Sequence, residues 1–516
     1  MPTQHCLADT IRHNALRFGA VPAYIADGHS ITHRELHDRA CAVAAALARA
    51  GLRHQDRIAV LGRNSIEFGE VLAAGQLSGL VVATVNFRLA APEILRILAD
   101  ATPRALFVDP EYLPVVDAVR AELGLELIIC FGPAERDDVV AYSDFVASGA
   151  GMFLPYSAQP DDLACLIYTS GTTGRPKGCM IGQRELYSCA AIMNGEVRTG
   201  SADRVLLTMP MFHIGAMAIG LGLHARGGTA VLHRQFDPAA VLEAAATDGI
   251  TTLHLAPTML QTVLDAAGGS DALATVRTVV YSAAPITSTT LFAALAAMPD
   301  AGFLNLYGQT EVITSGLPRE FHHGEGRTRD RRLSSVGHPF PDTSVRIVDD
   351  DGDCPPGTPG EIVVLSPTVF RGYWNDSAAT AATLRDGWCH TGDVGLLDDE
   401  GLLHLVDRKK DMIISGGENV YSLEVENALA SHSAVARCAV IGIPDPRWGE
   451  AVCAVVVPAD GAEIDAAQLR EHVATGLARY KAPKSVIIVD DLPILPTGKI
   501  DKKALRVQYA SGEVTA

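Results

Sequence analysis

Short apolar runs that alternate with helical stretches are the feature that most limits the fold of this chain. Runs of strand character lie at residues 57–61, 81–85 and 105–108, and helical spacing of apolar residues separates them. The same alternation returns between residues 205 and 282, and residues 7–50 are predicted to be helical. Repeated strand–helix–strand units favour a parallel sheet flanked by helices. The pattern therefore predicts an α/β protein.

The chain is too long for one hydrophobic core, since it has 516 residues. The alternation resumes after a glycine-rich stretch, which predicts two parallel-sheet α/β subdomains. Past Ser334, short β runs alternate with turns such as Pro355-Pro356-Gly357, and this texture predicts a small β-barrel-like subdomain. The charged segment 406–411 then interrupts the apolar pattern, and a smaller α+β region follows it. We place a domain boundary near Lys410.

Charge and cysteine content exclude several classes of protein. The 42 Lys and Arg residues against 60 Asp and Glu residues give a net charge of −18, which argues against a nucleic-acid binder. Ten scattered cysteines without a C-x-x-C pair favour reduced thiols in a cytoplasmic protein. No signal peptide is recognised at the N-terminus. Two uncharged stretches, 71–87 and 278–299, contain glycine, proline or hydroxyl residues, so no transmembrane segment is expected.

Residues 168–178 have a phosphate-binding layout, with the sequence Tyr-Thr-Ser-Gly-Thr-Thr-Gly-Arg-Pro-Lys-Gly. They follow 163–167, an apolar run of strand character. Glycines let backbone N–H groups approach phosphate oxygens, hydroxyls add donors, and Lys177 adds positive charge. The stretch is not a Walker A loop, because its lysine precedes the last glycine and Cys179 follows.

Five further stretches carry polar side chains in patterns that each have a structural explanation when taken alone. His213 is compatible with a hydrogen-bonded core histidine, and Lys499 with a solvated charge. Thr310-Glu311 resembles a helix cap, and Asp393 a turn cap. The stretches are residues 209–215, 306–311, 390–393, 407–421 and 495–500.

Taken together and in order, these stretches resemble the adenylate-forming superfamily, which includes acyl- and aryl-CoA synthetases, adenylation domains of peptide synthetases and firefly luciferase. The resemblance runs from Asn86 to Lys499 and is strongest to an acyl-CoA synthetase. It implies a large N-terminal domain over residues 1–406 that binds ATP and the acyl group. A hinge over residues 407–410 and a small mobile C-terminal domain over residues 411–516 would follow.

The resemblance implies an AMP-forming carboxylate–CoA ligase that uses ATP, Mg²⁺ and CoA. A carboxylate attacks the α-phosphorus of ATP to give acyl-AMP and pyrophosphate, and a thiol then displaces AMP. Glu311 would bind Mg²⁺, and Thr310, Glu311, His213 and Lys499 would be the catalytic residues. The implied ATP-binding residues are Thr169, Ser170, Gly171, Thr172, Thr173, Gly174, Lys177, Ala283, Ala284, Pro285, Asn305, Tyr307, Gly308, Gln309, Thr310, Asp393, Arg408 and Lys499.

The second half-reaction would use other residues. In the family, the C-terminal domain turns after adenylation, with Lys410 at the hinge position. Gly416 and Gly417 would then let the thin pantetheine approach the backbone, and Trp448 would stack on the CoA adenine. The acyl pocket is expected to include His213, Ala283, Gly308 and Ile313, with further residues near Cys189.

Other classes of protein can be compared with these patterns. Gly220-x-Gly222-x-x-Ala225 loosely matches a dinucleotide fingerprint but lacks a clear preceding strand, and no G-x-S-x-G of an α/β-hydrolase occurs. A luciferase-like oxygenase and an enzyme that loads a carrier protein share the adenylating scaffold and stay open. A catalytically dead regulator is expected to have lost Glu311 or Lys499, and both are present.

The substrate is expected to be a hydrophobic monocarboxylic acid, aliphatic or aryl, with a place in fatty acid metabolism. Motifs do not encode the depth of the pocket, so they do not separate these two classes of acid. A homodimer is compatible with the sequence.

Overall fold

The structure is a computed structural model that describes residues 6–154, 156–170, 176–269, 271–408, 411–415, 418–494 and 499–509. Its α-helices are α1 (Leu7–Arg17), α2 (His33–Arg49), α3 (Ile66–Ser78), α4 (Ala91–Ala101), α5 (Leu113–Val119), α6 (Tyr142–Gly149), α7 (Gln183–Val197), α8 (Ile214–His224), α9 (Pro238–Thr247), α10 (Pro257–Ala267), α11 (Ser288–Ala297), α12 (Gly326–Leu333), α13 (Ser377–Thr383), α14 (Ser422–Ala430), α15 (Ala466–Gly476) and α16 (Lys502–Tyr509).

The strands are β1 (Pro22–Ala26), β2 (His29–Thr32), β3 (Arg57–Leu61), β4 (Val81–Val85), β5 (Ala105–Val108), β6 (Leu127–Cys130), β7 (Val140–Ala141), β8 (Leu163–Ser170), β9 (Pro176–Gly182), β10 (Arg204–Leu207), β11 (Thr229–Leu232), β12 (Thr252–Leu255), β13 (Thr278–Ser282), β14 (Gly302–Gly308), β15 (Ile313–Leu317), β16 (His338–Pro339), β17 (Ser344–Asp349), β18 (Gly352–Asp353), β19 (Gly360–Leu365), β20 (Leu384–Arg385), β21 (Trp388–Leu397), β22 (Leu403–Arg408), β23 (Ile413–Ser415), β24 (Glu418–Val420), β25 (Val435–Asp445), β26 (Gly449–Pro458) and β27 (Ser485–Ile488).

A seven-stranded sheet has the order β7-β6-β5-β3-β4-β8-β9. Its strands run parallel except β9, which pairs antiparallel with β8. The apolar runs that predicted β3, β4 and β5 are buried on both faces, as expected for parallel strands covered by helices. This sheet confirms the first predicted α/β subdomain.

A nine-stranded sheet has the order β16-β15-β14-β13-β12-β10-β11-β1-β2. The six strands from β14 through β1 in this order are parallel, and β15, β16 and β2 add antiparallel edges. On one face, Leu206, Leu253, Val279 and Phe303 form a buried cluster with the helices that cover it. This sheet confirms the second predicted α/β subdomain.

The prediction that residues 7–50 are helical is correct for α1 and α2 but wrong between them. The hairpin of β1 and β2 separates the two helices, and β1 pairs in parallel with β11, about two hundred residues along the chain. That pairing is a tertiary contact that local periodicity does not reveal. Helix α2 begins after Thr32, whose Oγ1 accepts a hydrogen bond from the Glu35 amide (3.2 Å) as its N-cap.

The predicted β-rich region forms a six-stranded sheet of β17 to β22, and the C-terminal region forms a five-stranded sheet of β23 to β27. In the latter, β25 and β26 are antiparallel and β27 pairs in parallel with β26. The chain divides into two compact units, residues 1–345 with 364–390 and residues 346–363 with 391–516. The hinge over residues 407–410 stays a prediction, since residues 409 and 410 lie outside the described part.

The uncharged stretch 71–87 forms most of the buried helix α3 and the strand β4 that follows it. Among the described residues, no helix is both long and apolar enough to cross a membrane. The ten cysteines carry free thiols.

Candidate active site

The glycine-rich stretch connects β8 and β9, which pair antiparallel at the edge of the seven-stranded sheet. Tyr168 pairs with Gly178, and Thr169 pairs with Lys177. Four of the predicted phosphate-binding residues, together with the side chain of Ser170, lie outside the described part of the chain: Gly171, Thr172, Thr173 and Gly174. The structure therefore describes the two strands that carry Thr169 and Lys177.

The base of this hairpin is held by Asp100 of α4 and by Trp374. The Tyr168 hydroxyl donates to Asp100 Oδ2 at 2.6 Å, and the Trp374 indole donates to the Asp100 carbonyl at 3.1 Å. Gly178 lies against the Tyr168 ring, where an added Cβ would stand 3.0 Å from Cζ. A side chain at position 178 would therefore crowd the Tyr168 ring.

Residues 371–374 run alongside β9 and bring Tyr373 to the hairpin. The Arg371 amide donates to the Met180 carbonyl and the Met180 amide to the Gly372 carbonyl, both at 2.9 Å. The Tyr373 hydroxyl donates to Glu311 Oε1 at 2.7 Å, and its ring centroid lies 4.8 Å from Lys177 Nζ. One aromatic ring thus contacts both the cation and the carboxylate that were predicted to bind phosphate and metal.

Glu311 lies in the tight connection between β14 and β15. The Gln309 amide donates to the Val312 carbonyl at 2.7 Å, and the Phe370 amide donates to the Glu311 carbonyl at 2.8 Å. An added Cβ on Gly308 would lie 2.8 Å from the Ile313 Cα, so no larger residue fits there without a shift. The connection buries Thr310 and fixes its position beside Glu311.

Cys179 is fully buried and its thiol interacts with the side chains of Thr169 and Glu311. Burial is the largest cause that raises its pKa well above 9.0, and the Glu311 carboxylate adds to the effect. The thiol is therefore protonated at neutral pH. It acts as a small neutral donor in this cluster, without the thiolate that a nucleophile requires.

His213 is the N-cap of α8, and its Nδ1 accepts a hydrogen bond from the Gly215 amide at 3.1 Å. His254 of β12 lies nearby, because a Cβ added at Gly215 would be 3.4 Å from His213 Nδ1 and 3.7 Å from His254 Cε1. His254 Nε2 lies 2.9 Å from Ser282 Oγ, at the carboxyl end of β13. Burial lowers the pKa of His254 to about 4, so the ring is neutral.

The carboxyl ends of β13 and β14 are neighbours, because Ser282 pairs with Leu306. This register brings Ala283 next to the predicted adenine-binding residues of β14 and its following turn. Ala283 has a left-handed backbone with φ of 75°, which is strained for a residue other than glycine. The residues that the sheet gathers at this edge are Ala283, Ala284, Pro285, Asn305, Tyr307, Gly308, Gln309 and Ile313.

In the second unit, β21 and β22 place Asp393 and Arg408 opposite each other. Arg408 Nε lies 3.3 Å from Asp393 Oδ1, and the carboxylate is buried. The Asp393 amide also donates to Thr391 Oγ1 at 3.1 Å. The two residues predicted to hold the ribose therefore form an ion pair.

The predicted CoA residues are partly described. Trp448 is exposed, and its ring is approached by Arg447 Cζ at 4.7 Å and Lys484 Nζ at 5.4 Å. Gly416, Gly417 and Lys410 lie outside the described residues. Lys499 is half-buried directly after the undescribed residues 495–498.

The donor set of the first unit can be compared with what Mg²⁺ needs. Among the described residues, no group of three or more His, Cys, Asp or Glu side chains could hold a metal ion. Mg²⁺ bound to nucleotides takes one or two carboxylates, with phosphate oxygens and water completing the shell. One carboxylate, Glu311, held by Tyr373, fits this nucleotide-dependent mode.

Three residues of the cluster were not singled out in the sequence: Tyr373, Cys179 and His254. His254 had a signal in the sequence, since it is a histidine between two leucines of a predicted strand. Tyr373 had none, because it reaches Glu311 from a segment that forms no regular element with it. The position of Cys179 after the last glycine gave no indication of its contact with Glu311.

Comparison with known proteins agrees with this arrangement. A family model described as AMP-binding enzyme matches residues 11–374, and one described as AMP-binding enzyme C-terminal domain matches residues 424–499. A feruloyl-CoA synthase from Amycolatopsis sp is 40% identical over 93% of this chain and 94% of its own. The fatty acid–[acyl-carrier-protein] ligase ScoC from Streptomyces coeruleorubidus is 34% identical over 98% and 97%.

A solved structure is equally similar along the whole chain. The crystal structure of ATP-bound MatB from Rhodopseudomonas palustris superposes with a TM-score of 0.89 at 31% identity, covering 98% of this chain and 99% of its own. Family models and relatives thus cover both the phosphate-loop region and the C-terminal region. The chain therefore belongs to the AMP-binding, adenylate-forming enzyme family, as an AMP-forming acid–CoA ligase.

Proposed function

We propose that the protein activates a hydrophobic carboxylic acid as its acyl-AMP and then transfers the acyl group to CoA. The observation that carries this proposal is the contact of Tyr373 with both Lys177 and Glu311. A cation and a carboxylate held by one ring next to a glycine-rich turn suit a magnesium–nucleotide complex. A protein that bound no polyanion would have no need to hold Lys177 and Glu311 beside this turn.

In the first half-reaction, a carboxylate oxygen forms a bond to the α-phosphorus and the bond to the β-phosphate breaks. Both reactants are anions, so positive charge must be concentrated around the phosphates. Lys177 supplies one fixed charge, and Lys499 supplies a second at the attacking carboxylate. Mg²⁺ held by Glu311 would neutralise charge on the phosphates that leave as pyrophosphate.

The nucleoside would be held by groups of matching chemistry. Asp393 is an acceptor-only carboxylate, which suits the two ribose hydroxyls. Its partner Arg408 forms an ion pair with it and orients it. We expect the Thr310 hydroxyl to donate to the α-phosphate and the Tyr307 ring to lie against the adenine.

In the second half-reaction, the CoA sulfur forms a bond to the acyl carbon and AMP leaves with the electrons of the broken bond. We expect Gly416 and Gly417 to let the pantetheine approach the backbone. Trp448 has an exposed ring flanked by Arg447 and Lys484, which suits an adenine that carries phosphates nearby. Lys410 is the expected hinge residue.

A carrier protein is the second candidate acceptor. The ScoC ligase, whose name gives an acyl carrier protein as acceptor, is 34% identical over nearly the full length. The adenylation half-reaction would be the same in both cases. The feruloyl-CoA synthase, at 40% identity, favours CoA and an aryl acid.

The proposal is tested by exchange of labelled pyrophosphate into ATP with a panel of aliphatic and aryl acids. We expect exchange only when Mg²⁺ and a suitable acid are both present. With CoA added, AMP release and loss of free thiol should proceed in equal amounts. No exchange with any acid would disprove the adenylation step, whereas AMP release without loss of thiol would point to the carrier protein.

A further inference from the structure

His254 of β12 has one ring nitrogen that the fold does not use. The residue is only 1% exposed, and its Nε2 lies 2.9 Å from Ser282 Oγ. Its other nitrogen, Nδ1, is buried and has no hydrogen-bond partner within the described part of the chain. Leaving a buried polar atom unpaired destabilises the folded state, so its presence requires a reason.

His322 shows how the same unit holds a histidine that has only a structural role. It is 2% exposed, and burial lowers its pKa to about 4, as it does for His254. Its Nε2 lies 2.9 Å from the Tyr281 hydroxyl, and its Nδ1 lies 3.0 Å from the Pro318 carbonyl. The protein pairs both nitrogens of His322 and only one of His254. That difference indicates a group that is paired by a ligand.

Strand register places His254 at the edge of the sheet that carries Glu311. His254 pairs with Val280 of β13. Ser282, two residues further along β13, pairs with Leu306 of β14. Because side chains alternate along a strand, His254, Ser282 and Leu306 lie on one face, and Glu311 follows the end of β14. Adjacent strands lie about 4.8 Å apart, so β12 is roughly 10 Å from β14. Ligands of parallel sheets bind outside the carboxyl ends of the strands, so a molecule that reacts beside Glu311 can extend to His254.

The first turn of α8 leaves room beside the His254 ring. The three atoms nearest to a Cβ added at Gly215 all belong to the rings of His213 and His254. One of them is His254 Cε1 at 3.7 Å, which is the ring carbon bonded to Nδ1. Gly215 and His213 are half-buried. Glycine at position 215 therefore leaves space for an atom of about the size of a methyl group next to this ring.

The chemistry of the ring favours a hydroxyl group as its partner. Burial, followed by the nearby His213, lowers the pKa of His254 to about 4, so the ring is neutral at pH 7. One nitrogen of a neutral imidazole donates and the other accepts, and the Ser282 hydroxyl can pair with either form of Nε2. A ligand hydroxyl can likewise pair with either form of Nδ1, whereas a carbonyl or an ether pairs only with a donor. A second carboxylate would lose its water beside a neutral ring, which is unfavourable.

We propose that His254 is a specificity-determining residue, and that its Nδ1 forms a hydrogen bond with a hydroxyl group on the body of the carboxylic acid. Ser282 holds the ring through Nε2 and leaves Nδ1 for the acid. The inference rests on the proposed adenylation of a carboxylic acid. It narrows the substrate to acids that carry a neutral hydroxyl group.

The test compares acids of equal shape by pyrophosphate exchange. Each pair exchanges a hydroxyl group for a methyl group. The pairs are para-hydroxybenzoic with para-methylbenzoic acid, para-hydroxycinnamic with para-methylcinnamic acid, the meta-substituted forms of both, and ω-hydroxyoctanoic with nonanoic acid. We expect kcat/KM to favour the hydroxylated member of at least one pair about 5–10-fold, which is the effect of one buried hydrogen bond.

Two substitutions of His254 separate binding of the acid from support of the fold. The amide nitrogen of asparagine is two bonds from Cβ, as Nδ1 is, whereas that of glutamine is three bonds from Cβ, as Nε2 is. His254→Asn should therefore keep the preference for the hydroxylated acid, and His254→Gln should lose it, mainly through KM. A role limited to the bond with Ser282 predicts the reverse order.

His322→Gln is the matched control, because it alters a buried neutral histidine that bonds to Tyr281 on the opposite face of the sheet. It should keep the preference of the unmodified protein. Thermal unfolding of each variant establishes that it folds. Gly215→Ala is an independent variant, since its added methyl group would make only ordinary contacts and would occupy the space beside the His254 ring. It should reduce the preference.

Exchange with these acids but no preference in the unmodified protein would overturn the inference and leave adenylation intact. A full preference in His254→Gln would also overturn it. If His254→Gln did not fold, an unchanged preference in Gly215→Ala would have the same consequence. No exchange with any acid would overturn the proposed function itself.

Discussion

Tyr373 donates a hydrogen bond of 2.7 Å to Glu311, which lies 62 residues earlier in the chain. Burial, followed by the Glu311 carboxylate, raises the pKa of Tyr373, so its hydroxyl stays a donor throughout the physiological range. The same ring lies against Lys177. The bond fixes the rotamer of the only carboxylate that we assign to Mg²⁺.

Tyr373→Phe should therefore weaken adenylation about 10-fold, the effect of one hydrogen bond to a charged group. The loss should be larger at low Mg²⁺, and the affinity of Mn²⁺·ATP measured by equilibrium binding should fall with it. Tyr142→Phe is the matched control, because Tyr142 donates to the buried carboxylate of Glu70 at 2.6 Å and takes no part in the cluster. If the two variants lost activity equally, Tyr373 would have a general structural role.

Lys499→Ala should reduce pyrophosphate exchange by about 10²–10³-fold, because the attacking carboxylate loses its fixed cation. The variant should still convert supplied acyl-AMP and CoA to the thioester at close to the unmodified rate. Lys503→Ala, at an exposed position of α16, is the control and should change neither rate. Full exchange activity in Lys499→Ala would contradict the assigned role.

Asp393→Asn should raise the KM for ATP about 10-fold with a smaller change in kcat, since a neutral amide accepts the two ribose hydroxyls less well. The comparison is Asp398→Asn in the same hairpin, where Asp398 Oδ2 lies 3.0 Å from His404 Nε2. That variant should affect thermal stability more than KM. An unchanged KM in Asp393→Asn would remove the ribose assignment.

Trp448→Ala should raise the KM for CoA about 10-fold and leave pyrophosphate exchange unchanged, because stacking on one base contributes about 1–3 kcal/mol. Tyr480→Ala removes another exposed aromatic ring from the same unit and serves as the control. A normal KM for CoA in Trp448→Ala would show that the ring does not contact CoA.

Acid should destabilise the protein between about pH 6.5 and pH 4. Burial lowers the pKa values of His254 and His322 to about 4 and that of His224 to about 3. In that window the unfolded chain binds more protons than the folded chain, so stability rises with pH and falls as pH decreases. The melting temperature should drop steadily from pH 7 to pH 4.5, and His254→Gln should make the drop shallower. A constant melting temperature would contradict these shifts.

Local patterns were sufficient for many elements of this fold. Apolar runs bounded by turn residues predicted β3, β4, β10 and β12. They failed at β1 and β2, which exist because β1 pairs with β11 far along the chain. Short edge strands carry little periodicity of their own, so sequence reasoning has no signal for them.

The order of motifs was sufficient for the family and for the candidate residues Lys177, Glu311, Asp393 and Arg408. Their individual roles stay predictions. The role of Tyr373 was beyond sequence reasoning, because its bond to Glu311 joins segments that share no local pattern. A hydrogen bond between distant segments depends on how sheets and helices pack, and periodicity reports only which face of each element is apolar.

The amino-acid sequence by itself determined the alternating architecture and the chemistry of the phosphate stretch, since both follow from residue type and spacing over ten or twenty positions. Only the tertiary structure decided which side chain holds Glu311 and that Cys179 is a buried neutral thiol. Those properties depend on burial and on contacts between segments that are far apart in the chain. Burial and long-range contacts are in turn determined by strand register and helix packing.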